Sequence, residues 1–280
     1  MFIKVLVIGD IVGKPGRKVL SEELPGLVAR ERISFVIANA ENAAGGSGVT
    51  PEIAQELFKA GASVLTTGDH VWKKREIVPY IEKESRLLRP ANYPAKASGS
   101  GFTILADPAG QKIGVVNLIG RVFMGPADSA FEVADRAVTE LARVTPLIFV
   151  DMHAEATSEK VAMGWFLDGR VTAVFGTHTH VQTADERVLP GGTAYITDLG
   201  MTGPYDSVLG RRKDRVLQAL ITLMPTSFDV AKGDVRLSGA IITCDRETGK
   251  ATAIQRVQVR LPSSDEASGL EDDSDERASP

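Results

Sequence analysis

The segment FIKVLVIGD, residues 2–10, predicts a buried strand that ends in an acidic residue. It is short, rich in Val and Ile, and bounded by polar or glycine residues, which is typical of a strand covered on both faces. The same pattern recurs in SFVIANAE (34–41), ASVLTTGD (62–69), PLIFVDMH (146–153) and VTAVFGTH (171–178). Five such strands separated by longer segments predict an α/β protein.

Helical patterns lie between these strands. Residues 50–61, TPEIAQELFKAG, show the pattern best, with Thr50 as N-cap and Gly61 at the end of the helix. Residues 129–144 and 157–169 have the same amphipathic character. We therefore expect helices to cover the strands.

Two further regions predict antiparallel strands. Residues 99–120 have the pattern of a hairpin with its turn at 108–110. Residues 228–261, which follow a helical segment near 215–223, have the pattern of antiparallel strands. The predicted architecture is a layered α/β sandwich with antiparallel edge strands.

The charge distribution separates a nearly neutral body, residues 1–261, from an acidic tail, residues 262–280. The tail has seven acidic residues and one arginine, which leaves 31 basic and 29 acidic residues in the body. A serine-rich tail almost without apolar residues is predicted to be disordered. The body is predicted to be one domain, and its balanced charge argues against an extended nucleic-acid-binding surface.

The apolar runs and the cysteine content bear on the compartment. No apolar run approaches the roughly 20 residues that a transmembrane helix needs. Cys244 is the only cysteine, which excludes an internal disulfide and fits a reducing compartment. We expect a cytoplasmic protein that has no membrane partner.

Residues with metal-binding side chains follow all five predicted strands. In open α/β sheets, ligands bind at the carboxyl ends of the strands. All four histidines of the chain stand at these ends, which a random scatter would not produce. The candidates are Asp10, Glu41, Asn42, Asp69, His70, His153, His178 and His180.

The chemical types of these side chains indicate a site for divalent metals. Carboxylates and imidazoles together suit Mn²⁺, Fe²⁺ or Zn²⁺. His178 and His180 are two positions apart, so on an extended segment both side chains would face one pocket. The candidates other than His70 are more than one four-coordinate ion needs, and a glutamate can bridge two ions. The cluster therefore favours two ions, roughly 3.5–4 Å apart.

Two glycine-rich stretches do not match nucleotide-binding motifs. In GDIVGKPGR, residues 9–17, the first two glycines are one residue too close for a phosphate-binding loop, and Pro15 replaces the required Ser or Thr. AAGGSGVT, residues 43–50, lacks the G-x-G-x-x-G pattern. Neither stretch is assigned to nucleotide binding.

The ordered motifs resemble those of the calcineurin-like metallophosphoesterases, whose usual series is D-x-H, G-D, G-N-H, H and G-H-x-H. Four longer segments are similar to the YmdB-like bacterial family, and the similarity extends over nearly all of the chain up to about Leu261. This resemblance implies a metal-dependent phosphodiesterase that acts on 2′,3′-cyclic nucleotides. The segments are GDIVGKPGR (9–17), ANAENAAGGSG (38–48), DMHAEATSEK (151–160) and GTHTHVQTADERVLPGGTAYITDLGMTGP (176–204).

The resemblance also implies a role for each candidate residue. His70 would be the catalytic proton donor. Iron or manganese is expected at both metal positions, and zinc also fits the donor set. One ion would be held by Asp10, Glu41, Asn42 and His180, and the other by Glu41 as a bridge, Asp69, His153 and His178.

Two positions depart from the motifs. Val12 stands where the wider superfamily has the histidine of D-x-H, which is usual for this subfamily. Asp69 stands where the family usually has asparagine. The additional carboxylate should tighten metal binding and make that metal a weaker Lewis acid.

Two other functions stay open. One is a dinuclear hydrolase of amides or lactones, although in amidohydrolase barrels the His-x-His pair tends to lie on the first strand and here it comes at 178–180. The other is a metal-dependent regulator that binds a nucleotide or RNA with little turnover. The nearly neutral body weakens this second alternative.

The expected partner is a small phosphodiester or cyclic nucleotide. Residues 200–212, GMTGPYDSVLGRR, offer Tyr205 for base stacking and Arg211 and Arg212 for phosphate contacts, and an ordinary solvated loop fits them equally. The edge strands offer a surface for a homo-oligomer.

Overall fold

Two β-sheets lie face to face in the computed structural model, which describes residues 1–262. Apart from Pro262, the expected acidic tail lies outside the described residues. In chain order the strands are β1 (Phe2–Ile8), β2 (Asp10–Ile11), β3 (Phe35–Asn39), β4 (Val64–Thr66), β5 (Phe102–Ala106), β6 (Lys112–Ile119), β7 (Ile148–His153), β8 (Ala173–Thr177), β9 (Arg187–Val188), β10 (Ala194–Ile196), β11 (Met201–Pro204), β12 (Val235–Asp245) and β13 (Ala251–Arg260). The helices are α1 (Gly13–Glu31), α2 (Pro51–Lys59), α3 (Val78–Ile81), α4 (Ala130–Leu141), α5 (Thr157–Leu167) and α6 (Lys213–Thr222).

Each sheet has a parallel centre and antiparallel additions. The first sheet has the order β2-β11-β12-β1-β3-β4, with β13 paired to β12. Here β1, β3 and β4 are parallel, whereas β12 is antiparallel to β1 and β13. The second sheet has the order β5-β6-β7-β8-β10-β9, parallel from β6 to β10 with antiparallel β5 and β9 at its edges.

The alternation of side chains along β1 explains the layering. Val5 and Val7 are buried between the two sheets, in a cluster that includes Phe149 of β7. Leu6 and Ile8 point to the opposite face and pack in the cluster that contains the apolar side chains of α1 and α2. Helices α4 and α5 cover the second sheet in the same way. The molecule is therefore a four-layer α/β sandwich, which confirms the predicted fold class.

Most of the predicted elements are present. All five predicted buried strands form, and α2 begins after Thr50, whose hydroxyl accepts a hydrogen bond from the Ile53 amide at 3.3 Å. The predicted hairpin consists of β5 and β6. Among residues 1–262, no helix has the length and apolar content that crossing a membrane requires.

Two features of the fold were not predicted. Helix α1 occupies residues whose two prolines and three glycines argue against a helix, and Gly16 permits its close approach to β11, since a Cβ there would lie 2.3 Å from the carbonyl oxygen of Thr202. Strand β12 was expected at an edge, yet it pairs on one side with β1 inside the first sheet. Its antiparallel partner β13 was expected and is present.

The carboxyl ends of the parallel strands of both sheets meet at one rim. Asn39, at the end of β3, donates from Nδ2 to Oδ2 of Asp151 in β7 at 3.2 Å, so a hydrogen bond joins the two sheets there. Thr66, at the end of β4, donates to the same carboxylate oxygen. This rim positions the candidate functional residues.

Candidate metal centre

A cavity of about 300 Å³ opens at this rim. Five of the eight sequence-predicted residues line it directly, namely Glu41, Asn42, His70, His178 and His180. The three others, Asp10, Asp69 and His153, contact these residues through the distances given below. The structure thus brings all eight candidates together.

Four of the expected ligands turn one donor atom each toward a common point. Donor atoms of Glu41, Asp69, His153 and His178 lie within 4.8 Å of one another. His153 Nε2 is 3.2 Å from Glu41 Oε2 and 3.5 Å from Asp69 Oδ1. His178 Nδ1 is 3.0 Å from His153 Nε2 and 3.7 Å from Asp69 Oδ1. Four ligands about 2.1 Å from a tetrahedral ion are about 3.4 Å apart, so donor types and spacing fit a divalent metal.

A second group lies on the other side of Glu41. Oε1 of Glu41 is 3.1 Å from Asn42 Nδ2, whereas Oε2 of Glu41 faces His153. The two carboxylate oxygens therefore face different groups of side chains. Asn42 Nδ2 is also 3.1 Å from His180 Nε2. Asp10 Oδ1 is 3.9 Å from His180 Nε2, and this buried oxygen has no hydrogen-bond partner among residues 1–262. A cation would satisfy it, and Asp10, Glu41 and His180 offer donor atoms of the types that a metal here would take.

Burial and mutual charge set the protonation of the cluster. Burial raises the pKa of Asp10 to about 6, although His180 and His153 act in the opposite direction. Burial also acts to raise the pKa of Asp69, but a hydrogen bond and charge from His153 hold that pKa below its usual range. Burial acts to lower the pKa of His153, and the charge of Glu41 reverses this, so the pKa lies well above its usual value. Three neighbouring carboxyl groups, two of them buried, are a setting that divalent cations stabilise.

His70 stands beside the four-donor group rather than within it. Its Nδ1 atom lies 2.9 Å from Asn42 Oδ1, and its Nε2 atom lies 3.5 Å from Asp69 Oδ2. The ring is partly exposed and lines the cavity. One nitrogen is thus held by Asn42 while the other remains near the open space.

The two histidines of the His-x-His pair reach the cavity by an unexpected route. Strand β8 ends at Thr177, and His178 and His180 have φ angles of 100° and 65°. The assumption of an extended segment is therefore wrong, because both residues adopt left-handed backbone conformations that non-glycine residues rarely show. The backbone N–H of His178 donates to Asp10 Oδ2 at 3.1 Å and helps to hold this turn. Such strained residues cluster at functional sites.

A buried hydrogen-bonded chain orients His153, and sequence reasoning did not find it. Thr177 Oγ1 lies 2.8 Å from His153 Nδ1 and donates to Asp151 Oδ1 at 2.7 Å. This contact at Nδ1 directs Nε2 of His153 toward Glu41. The signal in the sequence was Asp151 itself, a carboxylate inside an apolar strand.

A buried ion pair supports the turn between the two histidines and was also missed. Lys160 Nζ donates to Asp198 Oδ2 at 2.7 Å, and both side chains are buried. The same oxygen accepts from the backbone N–H of Thr179 at 3.1 Å and from its hydroxyl at 2.7 Å. Thr179 separates His178 from His180, so Asp198 fixes the turn that presents both.

Gly68 is a further residue whose importance the sequence did not reveal. A Cβ at this position would lie 2.2 Å from His153 Nε2 and 2.3 Å from Glu41 Oε2. These separations are far below van der Waals contact, so only glycine fits beside the donor atoms. The glycine that precedes Asp69 and His70 therefore makes space for the ligands.

One of the three loop residues considered for substrate contacts lies at the cavity. Arg211 lines it and donates to the carbonyl oxygens of Gly46 and, at 2.8 Å, Phe228. Arg212 pairs with a neighbouring aspartate on the exposed surface. The hydroxyl of Tyr205 donates to a backbone carbonyl at 3.0 Å, and its ring does not line the cavity formed by the described residues.

The sequence of the chain matches a known protein family. The family model described as YmdB-like protein matches residues 6–257. A Bacillus subtilis (strain 168) protein named 2′,3′-cyclic-nucleotide 2′-phosphodiesterase is 48% identical over 257 residues, which cover 92% of this chain and 97% of that protein.

Two solved structures share the fold. A hypothetical protein from Thermus thermophilus superposes with a TM-score of 0.86 at 39% identity, covering 93% of this chain and 100% of that one. A phosphatase from Mycoplasma pneumoniae gives a TM-score of 0.87 at 32% identity, covering 96% of this chain and 97% of that one. The sequence motifs, the fold and these matches together establish that the chain belongs to the YmdB-like protein family.

Proposed function

We propose that this chain is a dinuclear metal-dependent phosphodiesterase that hydrolyses 2′,3′-cyclic nucleotides. The observation that carries the proposal is the position of Glu41, whose two carboxylate oxygens face two separate donor groups. The name of the Bacillus subtilis relative supports the reaction and the substrate class.

The metal ligands follow from the two groups. Iron or manganese suits the mixture of imidazole and carboxylate donors, and zinc is compatible with it. Glu41 would bridge the two ions. Asp10, Asn42 and His180 would complete one site, and Asp69, His153 and His178 the other.

The residues of the chain then act on a bound substrate. When bound, the two metals supply a nucleophile from water at neutral pH and positive charge for the phosphoryl oxygens. His70 donates a proton from Nε2 to the ribose oxygen that leaves. The new bond forms between a water oxygen and phosphorus, the bond from phosphorus to O2′ breaks, and the product is a nucleoside 3′-phosphate. Such a general acid is worth about 10²–10⁴-fold in rate.

The surroundings of His70 support this role. Asn42 holds Nδ1 at 2.9 Å, which leaves Nε2 oriented beside Asp69 and the cavity. Asn42 also contacts Glu41 and lies beside His180, so the proton donor and the metal ligands share one positioning residue.

The test combines metal analysis with a substrate panel. Protein purified without chelator should contain two divalent ions per chain and cleave bis-p-nitrophenyl phosphate and 2′,3′-cyclic nucleotides. His70→Ala should keep both ions and lose turnover, whereas His178→Ala should lose the ion of its own group. Loss of metal from His70→Ala would show that its assigned role is wrong.

The same panel separates the alternatives. Hydrolysis of amides or lactones in preference to phosphodiesters would favour an amidohydrolase-type reaction, although the described strands form two open sheets rather than a barrel. Tight cyclic-nucleotide binding without turnover in manganese-loaded protein would favour a regulator.

The proposal also covers the cellular location and the self-association of the chain. A cytoplasmic location is supported by Cys244, which is buried and unpaired. Self-association of the chain is also part of the proposal, as the sequence led us to expect.

A further inference from the structure

Another cavity lies at the end of the first sheet that is opposite the candidate metal centre. Its volume is about 540 Å³, and its walls come from the start of β1, the end of α1 with the residues that follow it, and the end of β12. Strand β1 runs from this cavity toward the metal-bearing rim, because the candidate ligand Asp10 follows its carboxyl end. The cavity is therefore separate from the site described above.

The walls of this cavity are strongly basic. Its lining includes four cationic side chains and one acidic side chain, Glu31. The cations are Lys4, Arg30, Arg32 and Arg246. Lys4 Nζ lies 3.2 Å from one carboxylate oxygen of Glu31, and Arg30 Nε lies 3.8 Å from the other. One carboxylate cannot balance four cations, so the cavity attracts anions.

Two of these cations have no partner in the protein. Within residues 1–262, the guanidinium groups of Arg32 and Arg246 form no hydrogen bond, ion pair or ring contact. Nε of Arg246 is also shielded from solvent, and a buried guanidinium nitrogen without an acceptor is unfavourable. An anion that binds the terminal nitrogens would stabilise this partly desolvated charge.

The backbone conformation of Arg32 is unusual as well. Arg32 ends helix α1 with a φ angle of 56°, in the left-handed region where glycine is the usual residue. The N–H groups of Arg32 and Ile33 donate to the carbonyl oxygens of Ala29 and Val28, so backbone groups alone close the end of the helix. The end of the helix therefore does not require an arginine. Residues held in such strained conformations cluster where ligands bind.

The chemistry of the walls suits a phosphate group carried by a larger molecule. Guanidinium groups bind phosphate oxygens through paired hydrogen bonds, and the Thr243 hydroxyl in the same wall offers one more donor. Phe2 also lines the cavity and is 61% exposed, and exposed aromatic rings are surfaces on which bases stack. The volume falls within the range of roughly 300–1,000 Å³ that small-molecule sites occupy.

We propose that this cavity binds a mononucleotide, with the phosphate on Arg32 and Arg246 and the base on Phe2. Three segments that are far apart in the sequence supply these side chains, namely the first strand, the end of the first helix and the end of β12. None of these residues belongs to the metal centre, so the site does not depend on the proposed function.

The first experiment is a calorimetric titration of the metal-loaded full chain with adenosine 5′-monophosphate. This probe carries a phosphate monoester and no diester bond that the metal centre could cleave. Arg32→Gly should lower its affinity by about 10–100-fold, the usual worth of a hydrogen bond to a charged group. Thermal stability should not fall, because glycine adopts a φ angle of 56° readily. Lost affinity in a chain that melts no earlier than the wild type then reports the ligand contact alone.

Two further variants complete this experiment. Arg246→Gln should weaken binding as Arg32→Gly does, whereas the control Arg143→Gln, at an exposed arginine after α4, should bind the nucleotide like the wild type. Hydrolysis of bis-p-nitrophenyl phosphate should be the same in all four proteins, because the cavity lies at the end of β1 that is remote from Asp10. Unchanged affinity in both cavity variants, or a wild type that does not bind the nucleotide, would overturn the proposal.

The second experiment tests the position of the base. Phe2→Leu removes the aromatic ring and should lower the affinity for adenosine 5′-monophosphate by at least about fivefold. Its affinity for inorganic phosphate, which has no base, should not change. An unchanged affinity for the nucleotide, or an equal loss for both ligands, would show that no base stacks on Phe2 and would overturn the assignment to a nucleotide.

Discussion

The ammonium group of Lys160 lies 2.7 Å from Oδ2 of Asp198, and both side chains are buried. We expect Lys160→Met to leave the Asp198 carboxylate buried without its counter-charge. Breaking a buried pair in this way costs about 3–5 kcal/mol of folding free energy. Because Asp198 also holds Thr179, metal affinity should fall by about 10–100-fold.

Chemical denaturation and calorimetric titration with Mn²⁺ measure these two effects. The exposed Lys59, in the last turn of α2, provides the control, and Lys59→Met should change neither quantity measurably. If Lys160→Met lowers stability but binds metal as the wild type does, the ion pair is structural and does not position the histidines.

A second prediction concerns the space beside the donor atoms. Gly68→Ala would introduce a Cβ 2.2 Å from His153 Nε2 and 2.3 Å from Glu41 Oε2. Because those two atoms are expected metal donors, their displacement should reduce the metal content below that of the wild type. Metal analysis after purification without chelator measures the loss.

Gly26 in α1 provides the control for the Gly68 substitution, since a Cβ at position 26 meets nothing within 4 Å. Gly26→Ala should keep its metal and gain about 1 kcal/mol of stability through helix propensity. Full metal occupancy in Gly68→Ala would mean that the ligands can move aside and that the close fit is not required.

The elements predicted correctly from the sequence are those whose pattern is local. A continuous apolar run identifies a buried strand such as β1, and the cap and end signals of α2 lie within its own residues. Helix α1 contradicts its local signals, and one of its glycines, Gly16, permits its close packing against β11. The place of β12 beside β1 depends on pairing between residues more than 230 positions apart, which no local pattern encodes.

The candidate site divides in the same way. The donor residues could be found because each follows a strand and parallel strands end at one rim. The positioning residues could not, since Lys160 and Asp198 are separated by 38 residues and look like ordinary members of a helix and a loop. The turn at His178 could not be predicted from the sequence either. Hydrogen bonds to Asp10 and Asp198 hold its backbone conformation, and the residue type of His178 does not indicate it.

A third prediction concerns the orientation of His153. Thr177→Val removes the hydroxyl between Asp151 and His153 with almost no change of volume. The buried Asp151 oxygen loses its donor, which should cost about 1–3 kcal/mol of stability. Metal affinity should fall by about 10–100-fold, because the ring loses the contact that orients it. Calorimetric titration checks this against Thr139→Val on the exposed face of α4, which should bind metal normally.

The reactivity of the single thiol gives a fourth prediction. Burial raises the pKa of Cys244 to about 12, so the thiol stays protonated at neutral pH. Ellman's reagent should therefore not react with the native chain and should react with one thiol per chain in guanidinium chloride. Rapid reaction of the native protein would mean that β12 opens at this position.

The fifth prediction concerns Asp69, which lies 3.5 Å from His153 Nε2 and 3.7 Å from His178 Nδ1. Asp69→Asn keeps the shape of the side chain and removes one negative charge from the expected ligand set. A unit charge about 4 Å from a cation is worth roughly 1–4 kcal/mol, so the affinity of that ion should fall by at least about fivefold. The ion bound beside position 69 in the variant would be a stronger Lewis acid, because its ligands donate less charge to it. Turnover at saturating metal should therefore rise. Mn²⁺ titration gives the first quantity and hydrolysis of bis-p-nitrophenyl phosphate at saturating Mn²⁺ gives the second. Unchanged affinity would show that the charge of Asp69 does not contribute to metal binding, whereas weaker binding with lower turnover would show that this charge assists the reaction itself.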